Sequence, residues 1–257
     1  MIIATWNINS LRAREARVLA WLREQRPDVL CLQETKVVDA EFPAAALREL
    51  GYEVAYHGQR TYNGVAVLSR SAITDVQCGF GDGVDDPQAR FMAVRTGGVR
   101  VLCAYVPNGA SPDSDKYAYK LAWLARLRAF LDAHARVDEP LVLCGDFNVA
   151  PGDHDVARPE DWRDSVLFCD SARAALAHVA GFGLVDLLRE KYPEGGVFSW
   201  WDYRQMSFAR DDGARIDLIF ATAPLAAGCR AAWVDREARE GERPSDHAPV
   251  LVELAAP

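Results

Sequence analysis

Short apolar runs alternate along this chain with amphipathic stretches. Residues 2–6 form an apolar run that predicts a first strand. Ser10 can cap a helix over about residues 11–25, and Pro27 lies beyond its end. Residues 29–32 are continuously apolar, which is typical of a strand covered on both faces. This order of strand, helix and strand predicts an α/β protein.

The pattern continues to the C-terminus. It predicts further strands at residues 52–56, 64–68, 91–94, 99–104, 141–144, 198–200, 216–221, 229–234 and 250–254, and helices over about residues 115–134 and 171–180. Asn63-Gly64 and Gly97-Gly98 are turn signals between neighbouring strands. Residues 150–170 are polar and predict a loop with a short helix. Many strands and few helices indicate two packed sheets flanked by helices.

Composition restricts the class of protein. The chain has 257 residues, half of them hydrophobic, which is enough for one large core, so we expect a single domain over residues 1–257. Its six cysteines include no C-x-x-C pair, which favours reduced thiols and a cytoplasmic location. The N-terminus lacks a basic segment followed by a cleavage site, and no apolar stretch approaches the length of a bilayer span. We therefore expect neither secretion nor a membrane.

The charge balance leaves the question of a nucleic-acid partner open. A net charge of -8 opposes binding to phosphate at long range. A magnesium site nevertheless needs several carboxylates, and a local basic rim can still meet a phosphate backbone. The candidates for such a rim are Arg12, Arg14, Arg17, Lys116, Lys120, Arg204, Arg210 and Arg215.

Polar side chains stand at the ends of several predicted strands. Carboxylates and amides with one imidazole are the ligand set of a hard cation such as Mg²⁺, and they fit zinc poorly. A carboxylate beside an amide or an imidazole can also align a water molecule against phosphorus. If the strand ends share one edge, they line a cleft formed by Asn7, Glu34, Tyr105, Asp146, Asn148, Asp217, Asp246 and His247.

Asp217 lies between two apolar residues, Ile216 and Leu218. A carboxylate buried in a strand needs a partner, because burial disfavours an isolated charge. The sequence offers two alternatives, a structural ion pair with Arg215 or a functional pair with His247.

Five segments resemble, in the same order, the motifs of the exonuclease III family of abasic-site endonucleases. They are ATWNINSLR at 4–12, PDVLCLQETK at 27–36, GDFNVAP at 145–151, RID at 215–217 and SDHAP at 245–249. YVPNG at 105–109 and FSWWDYR at 198–204 are also similar to that family. Any one motif is weak evidence, but a collinear set over essentially the whole chain is specific.

The resemblance implies a four-layer αββα sandwich with two mixed sheets flanked by helices. It implies a monomeric DNA repair enzyme that uses Mg²⁺, for which Mn²⁺ can substitute, on double-stranded DNA with an abasic site or a 3′ end. The enzyme would incise 5′ to abasic sites and leave a 3′-hydroxyl. It would also have 3′–5′ exonuclease and 3′-phosphatase or phosphodiesterase activity.

The resemblance also implies roles for individual residues. The implied metal ligands are Glu34, as the main ligand, with Asn7, Asp146, Asn148, Asp246 and His247. The implied catalytic residues are Tyr105, Asp146, Asn148, Asp217 and His247, and the implied substrate contacts are Asn9, Arg90, Asn108, Lys120, Trp200 and Arg204. Whether Asp146 or His247 takes the proton from water stays open, as does the balance between endonuclease and exonuclease.

Other functions have to be weighed. General DNases and phosphoinositide phosphatases of the same superfamily share the Asp-x-Asn and Ser-Asp-His elements, but Gln33-Glu34-Thr35-Lys36 favours abasic-site repair. A serine hydrolase would need a Gly-x-Ser-x-Gly elbow, which the sequence lacks. A non-catalytic DNA-binding relative should have lost part of the polar set, and this chain retains all of it.

Overall fold

The computed structural model describes residues 1–255 and contains the αββα sandwich that the sequence predicts. The strands are β1 Ile2–Asn7, β2 Val29–Gln33, β3 Glu53–His57, β4 Val65–Ser69, β5 Ile73–Cys78, β6 Phe91–Thr96, β7 Val99–Tyr105, β8 Leu141–Asp146, β9 Leu184–Asp186, β10 Asp217–Thr222, β11 Cys229–Val234 and β12 Val250–Leu254. The helices are α1 Leu11–Gln25, α2 Ala44–Glu49, α3 Asp115–His134, α4 Pro159–Trp162, α5 Asp170–Ala180, α6 Leu187–Lys191 and α7 Ala223–Ala226. Short 3₁₀ turns occur at Asp39–Glu41, Asp153–Asp155 and Arg236–Arg239.

The strands form two mixed sheets of similar design. In the described residues one sheet has the order β11-β12-β1-β2-β4-β3 and the other the order β5-β6-β7-β8-β10-β9. The parallel pairs, β1 with β2 and β7 with β8, lie at the centre of each sheet. Strand β12 runs antiparallel to β1, and β10 runs antiparallel to β8. The carboxyl ends of the parallel strands therefore meet the amino ends of β10 and β12.

The central strands are covered on both faces, which explains why they read as continuous apolar runs. In β8, Val142 and Cys144 pack between the two sheets, whereas Leu141 and Leu143 pack outward in the core that includes α3 and α5. Trp6 of β1 packs outward in the same way, against α1. Because successive strand residues point to opposite faces, each central strand contributes to two cores.

The ends of the helices follow the local chemistry. Ser10 caps α1 as predicted, because its hydroxyl accepts a hydrogen bond from the amide of Ala13 at 3.4 Å. Ser114 caps α3 in the same way through the amide of Tyr117. The predicted Gly97-Gly98 hairpin is also present, with positive φ at both glycines, as its tight turn requires.

Some predicted elements differ from the structure. The strand predicted at residues 198–200 is wrong. Trp200 forms only isolated bridges with Ala214 and His247 among the described residues, so this segment is not part of either sheet. Strand β5 was not predicted because most of its residues are exposed at a sheet edge, so they show little apolar pattern. The short elements β9, α2, α6 and α7 were not predicted either. Over residues 1–255, no helix has both the length and the apolar character needed to cross a membrane.

Gly145 lies where β8 passes close to β7, one residue before Asp146. Its φ is 149°, and a Cβ at this position would lie 1.8 Å from the backbone oxygen of Ala104. We expect Gly145→Ala to lower the free energy of unfolding by about 3 kcal/mol or more, because overpacking against backbone has no easy relaxation. Urea denaturation would measure this loss.

Gly196→Ala is the matched control for that measurement. Gly196 also has positive φ, at 73°, but a Cβ there would meet nothing among the described residues within 4 Å. The control should lose only about 1 to 2 kcal/mol, the conformational penalty of a left-handed residue. Equal losses in the two variants would show that the contact with Ala104 does not limit the fold.

Candidate active site

The strand ends predicted to form a cleft lie together where the two sheets meet. The side-chain amide of Asn7, at the end of β1, donates to Glu34 Oε1 and to Asp146 Oδ2, each at 2.9 Å. The hydroxyl of Tyr105, at the end of β7, donates to Glu34 Oε1 at 2.8 Å. These hydrogen bonds link a carboxylate from each sheet to the same amide.

The chain leaves these strands through left-handed backbone turns. Asn9, Glu34, Lys36 and Asn148 have φ values of 44°, 52°, 53° and 48°. Asparagine tolerates this conformation, but it is unfavourable for longer side chains such as glutamate and lysine. At Asn148 the turn is closed by the backbone amide, which donates to Asp146 Oδ1 at 2.9 Å. Unfavourable backbone of this kind is often found at functional sites, where the surrounding contacts hold it in place.

One half of the site contains oxygen ligands around a lysine. Lys36 Nζ lies 2.7 Å from Glu34 Oε2 and donates to Asn9 Oδ1 at 2.6 Å. The amide of Asn9 donates to Asp246 Oδ1 at 3.0 Å, and the indole of Trp200 donates to Asp246 Oδ2 at 3.0 Å. We call Asn7, Glu34 and Asp246 the oxygen set. The contact with Lys36 shows that Glu34 attracts a cationic group, and a metal ion bound here would share Glu34 with that lysine.

Both carboxylates of the oxygen set are ionised at neutral pH. Burial raises the pKa of Glu34, but the charge of Lys36 and the hydrogen bonds from Asn7, Lys36 and Tyr105 outweigh it and leave the pKa below its ordinary value. Burial likewise raises the pKa of Asp246, and the charge of His247 with hydrogen bonds from Trp200 and Asn9 brings it below the ordinary value. Ionised carboxylates and an amide oxygen fit a hard divalent cation.

The other half of the site is a line of buried side chains, Asp146, His247 and Asp217. His247 Nδ1 lies 2.8 Å from Asp217 Oδ2, and His247 Nε2 lies 3.9 Å from Asp146 Oδ2. Ser199 donates its hydroxyl hydrogen to Asp217 Oδ2 at 2.7 Å. Asp217 Oδ1 is buried and has no hydrogen-bond partner within residues 1–255. One carboxylate oxygen each of Asp146 and Asp217 and one ring nitrogen of His247 lie within 4.8 Å of one another, so the charges of these residues are strongly coupled.

The coupling keeps a proton on the imidazole. Burial by itself lowers the pKa of His247, but the negative charges of Asp217 and Asp146 outweigh this effect and raise the pKa to about 10. Burial raises the pKa of Asp146 to about 7, against the opposing charge of His247. At neutral pH the imidazole is therefore a cation, while Asp146 is the carboxylate whose pKa lies close to the ambient pH.

The partner of Asp217 is His247 and not Arg215. Arg215 is 2% exposed, and its guanidinium donates to Asp155 Oδ1 at 2.5 Å and to Asp186 Oδ1 at 2.9 Å. This ion pair ties the loop after β8 to β9. Arg215 was also a candidate for an exposed basic rim, and that prediction is wrong because its charge is neutralised inside the protein.

Lys120 lies beneath the amides of Asn108 and Asn148. Its ammonium donates to the backbone carbonyls of Asn108, Asn148 and Val166 at 3.1, 2.6 and 2.6 Å. Burial lowers the pKa of Lys120 to about 7, although the charge of Asp146 opposes the shift. Lys120 is 0% exposed, so its predicted place on a DNA-facing rim is wrong. Instead it fixes the backbone that presents the two amides, which are joined by a hydrogen bond of 3.1 Å.

The predicted arginine contacts line two different grooves. The guanidinium of Arg90 stacks 4.5 Å from the ring centre of Tyr105 and donates to the Tyr105 carbonyl. With Asn108 and Lys116 it lines a groove of about 510 Å³ that reaches Glu34. Arg204 is exposed and pairs with Asp202 at 2.7 Å on the Trp200 side. One groove therefore reaches Glu34, and the other reaches Trp200, which bonds to Asp246.

Several residues of the site were not predicted from sequence. Ser199 orients Asp217, and Lys36 neutralises Glu34, yet each was noticed only as part of a motif. Trp162 was not singled out at all, and its ring lies 5.9 Å from that of Trp200 at an angle of 86°. Its only sequence signal was a tryptophan in a long polar loop.

Comparisons with known proteins cover nearly the whole chain. The model of the Endonuclease/Exonuclease/phosphatase family matches residues 4–247. Exodeoxyribonuclease III of Haemophilus influenzae is 33% identical over 266 residues, which cover 99% of this chain and 100% of that protein. The structure of an AP endonuclease from Archaeoglobus fulgidus has a TM-score of 0.97 at 39% identity, with 99% of each chain covered. The structure of a 3′ phosphatase from Neisseria bound to a product DNA hairpin has a TM-score of 0.96 at 43% identity, also with 99% of each chain covered.

We expect His247 to make stability depend on pH when divalent cations are chelated. Its pKa is raised from 6.5 to about 10, so the charged ring stabilises the fold fully below pH 6.5, and this contribution is lost as the pH rises toward 10. His247→Gln should therefore be less stable than the parent protein at low pH, and the difference should shrink between pH 6.5 and about 10. Urea denaturation in EDTA measures the difference.

His178→Gln is the control, because His178 lies exposed on α5. This variant should follow the parent protein at every pH. If the stability gap for His247→Gln stays constant across the same window, the charge pairing with Asp146 and Asp217 is wrong.

Proposed function

This chain belongs to the exonuclease III family of endonuclease/exonuclease/phosphatase enzymes and hydrolyses DNA phosphodiester bonds, and we propose that it incises duplex DNA at abasic sites. It is a DNA repair nuclease. We propose that it cuts 5′ to the abasic nucleotide and leaves a 3′-hydroxyl. A 3′–5′ exonuclease and a 3′-phosphatase or phosphodiesterase activity would use the same site, since all of these reactions transfer a phosphorus centre to water.

One observation supports this proposal above the others, the division of charge across the site. Glu34 and Asp246 are held ionised on one side, whereas Asp146 has a pKa of about 7 and faces the cationic ring of His247 on the other. A general base works best when its pKa is near the operating pH. An imidazolium suits a donor to a phosphate oxygen better than a base. We therefore assign proton abstraction to Asp146 and phosphate binding to His247.

The surrounding groups hold Asp146 in position for that role. Asn7 and Asn148 donate to Asp146 Oδ2 at 2.9 and 3.1 Å, and the Asn148 backbone amide donates to Oδ1. A water molecule that gives a proton to this carboxylate would attack phosphorus as the P–O3′ bond breaks. Charge that develops on the phosphate oxygens would be stabilised by His247 and the amide of Asn148. Tyr105 stays neutral as a donor, because burial and nearby carboxylates raise its pKa well above the ordinary value.

The residues of the oxygen set fit a divalent cation, and we propose that Mg²⁺ is the natural one and that Mn²⁺ substitutes. Glu34 would be the main ligand, with Asn7 and Asp246 beside it. When bound, the ion supplies positive charge that stabilises the attacked phosphate and the leaving oxygen. The family resemblance also implied Asp146, Asn148 and His247 as metal ligands. We instead assign Asp146 to proton abstraction, and Asn148 and His247 to the phosphate.

The flanking surfaces support duplex DNA as the substrate. The groove beside Arg90 offers Asn108 and Lys116 to one strand, and Trp200 bonds to Asp246 outside that groove. An abasic nucleotide has no base to unstack, so turning its sugar toward Trp200 costs less than flipping a normal nucleotide. We propose that the enzyme acts as a monomer. Its six cysteines are all unpaired and support a reducing location such as the cytoplasm.

The proposal predicts metal-dependent nicking at an abasic analogue. We expect the purified protein to cut a duplex with one tetrahydrofuran residue on its 5′ side in Mg²⁺, and to stop when EDTA is added. A denaturing gel separates the product from the intact strand. The same duplex with a normal nucleotide at that position is the control. Cutting that survives EDTA would contradict the metal assignment, and equal cutting of the control would contradict the abasic specificity.

Substitutions separate the roles of the two carboxylates. We expect Asp146→Asn to lower the turnover number by about 10²-fold or more, since a general base is lost while the shape is kept. Glu34→Gln should mainly raise the Mg²⁺ concentration needed for half-maximal activity. Asp138→Asn, which changes an exposed carboxylate in the turn before β8, is the matched control and should behave as the parent protein. Near-normal turnover in Asp146→Asn would remove Asp146 from the chemistry.

A further inference from the structure

A cleft of about 390 Å³ lies beside Trp200, separate from the groove that Arg90 lines. Trp162, the last residue of α4, forms a second aromatic wall, and the two indole rings meet edge to face at 5.9 Å and 86°. Both tryptophans also pack against one buried apolar cluster, which holds them in place. The volume falls within the range of pockets that bind small molecules.

The cleft is rigidly connected to the reacting centre. The indole nitrogen of Trp200 donates to Asp246 Oδ2 at 3.0 Å, and its backbone pairs with Ala214 in both directions at 2.9 Å. The cleft therefore begins one side chain away from a residue of the oxygen set. A nucleotide whose phosphate is under attack at Asp146 would extend its sugar and base toward this space.

The polar lining favours a base over a second phosphate. Arg158 and Arg204 line the cleft, but Arg158 pairs with Asp212 and Arg204 pairs with Asp202, which line it as well. Their positive charge is largely compensated, so a further phosphate would gain little there. The indole rings remain as surfaces for stacking, and Gln205, which also lines the cleft, can hydrogen-bond to a base edge.

We propose that the cleft lined by Trp162 and Trp200 receives the nucleobase of a 3′-terminal nucleotide. Trp162 is then a specificity residue that supports removal of nucleotides that still carry a base. An abasic sugar needs only Trp200. The inference rests on the nuclease function proposed above. In the reaction, water oxygen bonds to phosphorus, the P–O3′ bond breaks, and the preceding 3′ oxygen takes a proton. The products are a new 3′-hydroxyl and a nucleoside 5′-monophosphate.

Trp162→Ala tests this inference on two duplexes with recessed 3′ ends. One ends in a normal nucleotide, and the other ends in a 3′-phosphate, which has no base beyond the scissile bond. We measure kcat/KM for each and compare their ratio. The ratio of nucleotide removal to phosphate removal should fall about tenfold or more, mainly through KM, which is the size of effect that one stacked base produces. An unchanged ratio overturns the proposal, whatever happens to the absolute rates.

Conservative variants separate stacking from packing, also if Trp162→Ala folds poorly. Trp162→Phe keeps an aromatic face and should hold the ratio within about threefold, whereas Trp162→Leu keeps apolar volume without a stacking face and should lower it as alanine does. A leucine variant with the parent ratio overturns the proposal. Tyr192→Ala removes an exposed ring outside the cleft and should leave the ratio unchanged. A parent protein that is inactive on every DNA substrate contradicts the nuclease function itself, whereas an active parent with insensitive variants contradicts only the role of Trp162.

Discussion

The buried carboxylates Asp146 and Asp217 can lie close together because the ring of His247 lies between them. Without a shared cation, two like charges in a buried setting repel, and one of them must take up a proton. Here the imidazole carries that proton, with Nδ1 on Asp217 and Nε2 toward Asp146. Burial raises the pKa of Asp146 to about 7 while the charge of His247 opposes the rise, so the arrangement that makes burial tolerable also prepares a base.

Both sheets of the fold contribute to the arrangement of Asp146, Asp217 and His247. Asp146 ends β8 and Asp217 begins β10, and these strands pair antiparallel in a register that places the two residues opposite each other. His247 arrives from the other sheet, just before β12. Gly145 allows β8 to approach β7 closely, and Lys120 fixes the turn after β8 from below. The site is therefore a product of the strand pairing and of the sheet stacking together.

Much of the site could be inferred from local sequence. Asn7, Glu34, Tyr105 and Asp146 each follow an apolar run, and apolar periodicity reports both the strand and the point where it ends. The same logic failed where a segment is held by distant partners. Residues 198–200 have the composition of a strand, but Ser199 and Trp200 bond to Asp217, Ala214 and Ala248 across different loops. Strand β5 was not predicted because it is an exposed edge strand, and its residues show little apolar pattern.

The amino-acid sequence by itself determines the layers of the sandwich and the chemical type of the site, because hydrophobic spacing and side-chain chemistry are local properties of the chain. Which atoms meet is decided by packing across long separations. Asn7 reaches Asp146 over 139 positions, and Asn9 reaches Asp246 over 237. The burial of Lys120 and the contact of Trp162 with Trp200 also depend on residues that are distant in the sequence. Periodicity states that a residue is buried or at a strand end, but only the folded arrangement fixes its partner, and the partner sets its charge and its role.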